Sequence, residues 1–175
     1  IKQLIKFYKA DSIEPIEFYG NCYNGNADLF TTMSYLPHVD TFPGADKDIN
    51  PLNDYAFNLN VTKSDKVKTA FYSFNNKKSV CDWTPDDYDD HDRVRDRHKK
   101  IKAKDWRLLS SENFQNYQLE YVANIEYNSL ILYPSHYWHS VYIKEDWFTD
   151  TDRVTFTGFF ETKTTSPKRK KLGFG

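Results

Sequence analysis

Three short stretches carry side chains able to act together on one ion. His38-Val39-Asp40 sets an imidazole and a carboxylate two residues apart. On an extended chain such residues project to the same side, so both can reach one cation. Alone the pair is weak, because chance matches are common in a chain with 5 His and abundant Asp. It gains weight from His139, far downstream in Ser135-His136-Tyr137-Trp138-His139-Ser140. A second imidazole completes a set of two histidines and one carboxylate, which occupies one face of Fe(II) and leaves the other positions open. Open positions separate a catalytic metal site from a closed structural one. Zinc tolerates the same donors, so the donors alone do not choose the metal. His136 is the rival for His139. It follows Pro134-Ser135, where a turn is expected, and its odd spacing from His139 puts the two on opposite sides of an extended segment.

Arg153-Val154-Thr155 adds a different chemistry. In a strand Arg153 and Thr155 share a face, and Thr157 continues it. An arginine pointing into a β-structure needs an anionic partner, since an unpaired buried charge is costly. A guanidinium fork beside a hydroxyl suits a carboxylate. The plainer alternative is a strand-entrance arginine paired with Asp150 or Asp152.

The elements that must position these groups follow a period of two. Residues 16–19, 29–35, 55–62, 68–74, 117–127, 129–133, 139–143 and 153–160 read as strands, separated by Pro, Gly, Asn and Asp clusters. The run Leu130-Ile131-Leu132-Tyr133 is expected to be buried on both sides. Eight short strands favour an all-β sandwich, jelly roll or barrel. Residues 82–104 begin acidic and end basic, as a helix dipole prefers, with Thr84-Pro85 as cap and first turn. With few apolar residues, this insertion is expected to be solvated and partly helical, with His91 and His98 in water. The sharper reading of it is a mobile lid or a partner-binding arm. The aromatic clusters around Trp138, Trp147 and Phe159-Phe160 are expected to pack rather than to stack on a substrate. One domain over 1–165, with the charged insertion at about 82–112 and a basic tail over 166–175, accounts for the chain.

Composition narrows the function classes. The chain has 175 residues with 24 Lys and Arg against 25 Asp and Glu, which excludes a globally basic nucleic-acid binder and an acidic disordered chain. Aromatic residues make up 17%, enough rings to build a core from few aliphatics. No apolar run approaches the ~20 residues that span a bilayer. Ile1 to Lys6 lacks the long apolar stretch of a signal peptide, and an upstream segment is expected because the first residue is not Met. Cys22 and Cys81 are too few for a disulfide framework and are expected to be reduced thiols, in keeping with a cytoplasmic, intracellular location. Asn60-Val61-Thr62 matches a glycosylation sequon inside an expected strand and reads as chance.

The order of HxD, distant His, then RxT resembles the iron- and 2-oxoglutarate-dependent dioxygenases. The resemblance is strongest to their small prolyl-hydroxylase-like branch, which has bacterial and phage members, including a family of unknown function. Tyr35-Leu36-Pro37-His38-Val39-Asp40 is similar to the branch's first ligand strand. Lys68-Thr69-Ala70-Phe71-Tyr72 lies where such proteins often carry Gly-Gly-Thr-x-Phe-Tyr. Residues 127–140 resemble their strand-turn-strand around the distal histidine, and residues 153–160 their closing strand. The resemblance implies a double-stranded β-helix, or jelly roll. It implies that His38, Asp40 and His139 bind Fe(II), and that Arg153 with Thr155 holds the distal carboxylate of 2-oxoglutarate, with dioxygen as cosubstrate. Tyr35, Asn58 and Tyr72 are candidates for lining the cavity. The chain departs from the branch at Val67-Lys68, where the glycine pair would stand, and in a longer gap between His139 and Arg153.

The first expectation is therefore an oxygenase acting on a small molecule or a protein side chain, with neither a membrane nor a strong nucleic-acid signal. A non-catalytic jelly-roll module of phage origin, with a vestigial metal site, is the alternative. A cupin-like metalloenzyme without 2-oxoglutarate is a third reading, separable by whether Arg153 matters to activity.

Overall fold

A computed structural model describes residues 12–23, 37–40, 54–98, 113–114, 116–144 and 147–163. Its strands are β1 (Ser12–Tyr23), β2 (Asp54–Asn60), β3 (Lys68–Phe74), β4 (Asn113–Phe114), β5 (Tyr117–Asn124), β6 (Leu130–Pro134), β7 (His139–Tyr142) and β8 (Arg153–Lys163). Helix α1 (Pro85–His98) follows a short 3-10 turn over Val80–Asp82. The strands form two four-stranded sheets, in the orders β1-β8-β2-β6 and β4-β5-β3-β7, with antiparallel pairing throughout. From β5 onward the chain alternates between the sheets, strand by strand. This is an all-β, jelly-roll-like fold with helical decoration. The expected strand over 29–35, Tyr35, and the tail over 166–175 lie outside the described residues.

Turn chemistry closes the strands where the sequence demands it. After β3, Asn75 and Asn76 have φ of 48° and 63°, and Phe74 and Lys77 exchange backbone bonds of 2.8 and 2.9 Å. Two central residues with positive φ make a type I′ hairpin, whose twist matches that of the flanking strands, and Asn tolerates the conformation. Asn128, with φ of 59°, turns the chain from β5 in one sheet to β6 in the other, where Ser129 N donates to the Glu126 carbonyl at 3.1 Å.

Helix α1 corrects one expectation. It begins where Thr84-Pro85 predicts, with its first turn tied back to Thr84 by Asp87. Asp87 N donates to the Thr84 carbonyl at 3.0 Å, and Thr84 N and Oγ1 donate to Asp87 Oδ2 at 2.7 and 2.6 Å. It is not wholly solvated, however. Val94 is buried in the apolar cluster of Tyr72, Phe74, Tyr117 and Trp138. The His91 side chain is 13% exposed, packed 5.3 Å from Trp83 and 5.2 Å from Trp138 between ring centres. The helix itself is poor in apolar residues, and the large surface it docks against is supplied by the aromatic rings of other segments. The His98 side chain lies outside the described ones. Trp138 is buried and Trp147 packs against the same cluster, as packing residues should.

Strand β6 departs from expectation too. Leu130 is 50% exposed, because β6 is the edge of its sheet and has water on one side. Asn60 is fully buried, its amide donating to the Ile125 carbonyl at 2.7 Å and its Oδ1 accepting from Thr62 N at 2.7 Å, so the sequon is a structural element of the fold. Cys22 and Cys81 are free thiols. Among the described residues, no helix is long and apolar enough to cross a membrane.

Candidate metal centre

The two sheets face each other across a polar cavity of about 90 Å³. The register decides which side chains reach it. On β8, Arg153, Thr155 and Thr157 share the inner face by their period of two. Their cross-strand partners continue that face: Asn21 lies opposite Thr155, and Tyr19 and Asn58 lie opposite Thr157 on either side. Tyr133 reaches the same space from β6, and Thr69 and His139 reach it from the opposing sheet. His38 and Asp40 complete the wall.

Ligand atoms of His38, Asp40 and His139 all lie within 4.8 Å of one another. His139 Nε2 is 3.4 Å from Asp40 Oδ2, and His38 Nε2 is 3.9 Å from Asp40 Oδ1. His38 is the open side of the group, its side chain 45% exposed, against 12% for Asp40 and 5% for His139. His139 opens β7, whereas His136 sits in the preceding turn with its ring against Tyr137 and takes no part in the group.

The protonation pattern fits a cation. The carbonyl of Tyr137 can only accept, so the 2.9 Å bond to His139 Nδ1 places the ring's proton there. Nε2 then carries the lone pair, and it faces a carboxylate oxygen. Burial pushes His139 down to about 4, the Tyr137 bond offsetting part of that, so the ring is neutral near pH 7. Burial also raises Asp40 to about 6, with nearby His38 opposing the shift. Asp40 Oδ2 is buried without a hydrogen-bond donor among the described residues. Two buried acceptors turned toward each other repel, and an ion bound to both removes the repulsion. Two imidazoles and one carboxylate are the donor set that suits Fe(II), so the residues fit that ion.

Arg153 lies deeper in the same cavity, 1% exposed, its Nη1 donating to Thr155 Oγ1 at 3.2 Å. Of the proposed lining residues, Asn58 faces this cavity. Tyr72 does not line it: its hydroxyl accepts from Ser140 Oγ at 3.2 Å, while its ring packs in the apolar cluster near Tyr117. Alternation along β3 accounts for this: Thr69 faces the cavity, so Tyr72 shares the opposite face with Ala70 and Phe74.

Sequence reasoning missed Tyr19, Asn21, Thr69 and Tyr133 as cavity residues. Tyr133 was legible as the one polar-tipped ring closing an aliphatic run. Its phenol is held well above its usual range by burial and by the nearby Asp40 charge. A second, mainly apolar pocket of about 330 Å³ adjoins the centre, lined by Phe71, Tyr72, Tyr121, Leu132, Tyr133 and Tyr137 among others, so Tyr72 borders this pocket rather than the polar cavity. Phe71 and Tyr133 bound both it and the metal group, with ring centres 6.4 and 4.6 Å from that of His139.

No family model matches the sequence, and no curated protein matches it. Among solved structures, the fold is similar to a novel N-substituted L-amino acid dioxygenase from Burkholderia ambifaria AMMD. The match has a TM-score of 0.47 and 12% identity, covering 87% of this chain and 54% of that one. The same dioxygenase in complex with alpha-KG gives a TM-score of 0.45 at 11% identity, covering 86% of this chain and 57% of that one. The chain thus spans little more than half the length of these neighbours.

Proposed function

We propose that the chain is a non-haem Fe(II)- and 2-oxoglutarate-dependent dioxygenase that hydroxylates a small molecule or a protein side chain. One observation carries this reading: the cavity that holds His38, Asp40 and His139 also holds Arg153 and Thr155. The cavity thus joins donors for a cation to a buried guanidinium with a hydroxyl beside it. A dicarboxylate that chelates a cation at one end uses both.

The overall change is R–H + O2 + 2-oxoglutarate → R–OH + succinate + CO2. The 2-oxoglutarate is oxidised with loss of CO2. One oxygen atom enters the new carboxylate of succinate and the other enters the C–H bond. Bound Fe(II) would supply the Lewis-acid and redox chemistry that joins these two oxidations.

The chain's own residues set the stage for it. His139, with Nδ1 tied to the Tyr137 carbonyl, presents Nε2 in fixed orientation. Asp40 neutralises one of the two positive charges, which leaves the site cationic and attractive to an anionic chelator. Arg153, in a dry and low-dielectric position, draws the far carboxylate inward, with Thr155 beside it. The apolar pocket that shares Tyr133 with the centre supports a substrate held close by, away from the polar cosubstrate end.

The test is spectroscopic. Under strict exclusion of oxygen, 2-oxoglutarate added to the Fe(II)-loaded chain should give a visible metal-to-ligand charge-transfer band, absent from His139→Ala. Admitting oxygen should then yield succinate. No band, together with unchanged metal affinity in His139→Ala, sinks the proposal.

A further inference from the structure

We propose that the free edge of β6 and the apolar pocket beside it form a docking site for an extended peptide, which joins the first sheet as a fifth strand. This makes the substrate of the proposed dioxygenase a side chain of another protein rather than a small molecule, a step that rests on the reading above. The docking itself needs no metal.

β6 pairs with β2 alone. The direction of its backbone groups follows from the bonds at the end of the pair. Asn60 N donates to the Ser129 carbonyl at 2.9 Å on the β6 side of β2, and Val61 N donates to the Val154 carbonyl at 3.2 Å on the β8 side. Counted in twos through the register, Asn58 with Ile131 and Ala56 with Tyr133 are then the bonded pairs. The N–H and C=O groups of Leu130 and Leu132 therefore point away from β2. Among the described residues, no hydrogen bond reaches them. Native sheets seldom leave an edge in this state. The opposite edge of the same sheet, β1, has a register shift between Pro15 and Glu17, and the edge of β7 is bridged by His38. β6 has no charged residue and no register shift, and Pro134 stands only at its end.

The apolar pocket lies against that edge. Leu132, Tyr133 and Pro134 all line it. Successive side chains of a strand point to opposite faces, so three residues in a row meet one space only where it runs along the strand's edge. Glu120 and Tyr121 of β5 wall the other side. A free donor and acceptor on one residue, repeated two residues on, are matched by the main chain of an extended peptide. One residue of an antiparallel strand exchanges both bonds with Leu132, and another two places along does so with Leu130. Alternate side chains of that strand turn toward the pocket, where Phe71, Tyr121 and Tyr137 favour an apolar one. A space of about 330 Å³ admits a short run of residues and not the edge of a second sheet, which sets the occupant as a single strand rather than another copy of this chain. Phe71 and Tyr133 bound both the pocket and the metal group, so the docked strand passes beside the centre.

The probe is a displayed library of random peptides about twelve residues long, enough to run past the edge, selected on the full chain both metal-free and loaded with Mn(II). Resynthesised peptides should bind with a Kd below about 100 μM and share an apolar residue at a fixed place. Replacing single peptide N–H groups by N-methyl should alternate in effect. Every second position should lose at least about tenfold, since a bond is lost and the methyl intrudes on the strand spacing, and the positions between should lose less than about threefold. Tyr121→Ala, at an exposed side chain, should weaken binding by about tenfold. Leu132→Pro removes a donor that faces away from β2 and spares the ladder, so it should cost about threefold to tenfold. Where that variant does not fold, Tyr121→Ala carries the test. No selected peptide, a methylation scan without alternation, or parental binding by Tyr121→Ala each overturns the proposal. A dimer in sedimentation that Leu132→Pro abolishes, with no selected peptide, gives the edge to a second copy and overturns it too. Peptides that dock as stated on a chain giving no charge-transfer band with Fe(II) and 2-oxoglutarate leave the docking site standing and remove the dioxygenase reading. A band without peptide binding does the reverse.

Discussion

His38 and His139 lock each other in place through the backbone: each N–H donates to the other's carbonyl, at 2.9 Å in both directions. This is a single antiparallel bridge between distant parts of the chain, and it sets the two imidazole centres 4.5 Å apart. The ligand geometry therefore does not depend on side-chain packing alone. A hydrogen-bonded antiparallel pair fixes the separation of its Cβ atoms, so two of the three donors are pre-organised before any cation arrives.

Metal affinity should depend on pH through Asp40. Its carboxyl, raised to about 6 from 3.8, must lose a proton before it can hold a cation. Mn(II) affinity should be level from about pH 7 to 8 and fall below about 6, by up to about tenfold per pH unit for the one proton on Asp40. His139, lowered to about 4, stays neutral across that window and does not set the onset. For the metal-free fold the sign is opposite. A raised carboxyl contributes stability that is fully present below 3.8 and is lost as pH rises through about 6. Titration of Mn(II) followed by electron paramagnetic resonance checks the first effect, and an onset near pH 4 contradicts it.

Arg153→Ala should raise the KM for 2-oxoglutarate by about a hundredfold or more, because a buried carboxylate loses its charged partner. Mn(II) affinity should move by less than about threefold, since the guanidinium is not a ligand. Full activity in Arg153→Ala would favour a metalloenzyme that needs no 2-oxoglutarate.

Gly158→Ala should destabilise the first sheet without touching the centre. Gly158 lies directly opposite Phe57 on β2, and an added Cβ would sit 2.5 Å from Phe57 Cζ and 3.1 Å from Phe18 Cδ2. Both contacts are with rings, which must swing outward. A cost of about 1–3 kcal/mol is expected in urea unfolding, and Phe57→Leu in the same chain should recover most of it.

Asp87→Asn should loosen the start of α1. Burial alone would raise the Asp87 pKa, but hydrogen bonds from Lys77, Thr84 and Asn75 outweigh it and hold the carboxyl below 3.8. A depressed carboxyl contributes stability that is present above 3.8 and is lost as pH falls through its folded value. The variant should lose about 1–3 kcal/mol at neutral pH. The gap from the parent should shrink on acidification toward pH 3, as measured by denaturant unfolding at both pH values.

Period two was enough to locate every described strand but the two-residue β4, which is too short to show a period, because alternation along one strand is a local property. The same periodicity tied Arg153 to Thr155, and HxD to one side of an extended segment. Thr84-Pro85 marked the start of α1 by the same local logic.

Which residues stand across from one another is not local. The meeting of Asn21, Thr157, Asn58 and Tyr133 in one cavity needs the registers of β1, β8, β2 and β6 together, and no single strand reveals them. The burial of His91 needed Trp83 and Trp138 to be brought beneath a helix that has almost no apolar face of its own. Tyr72 stands off the cavity because the structure turns Thr69 toward it, which sends Tyr72 to the opposite face of β3 with Ala70 and Phe74. The sequence by itself determined the element types and the chemistry of the side chains on each. Only tertiary structure decided which of those side chains meet, because cross-strand neighbours are chosen by hydrogen-bond register between distant segments, and a shift of one residue turns every side chain to the other face.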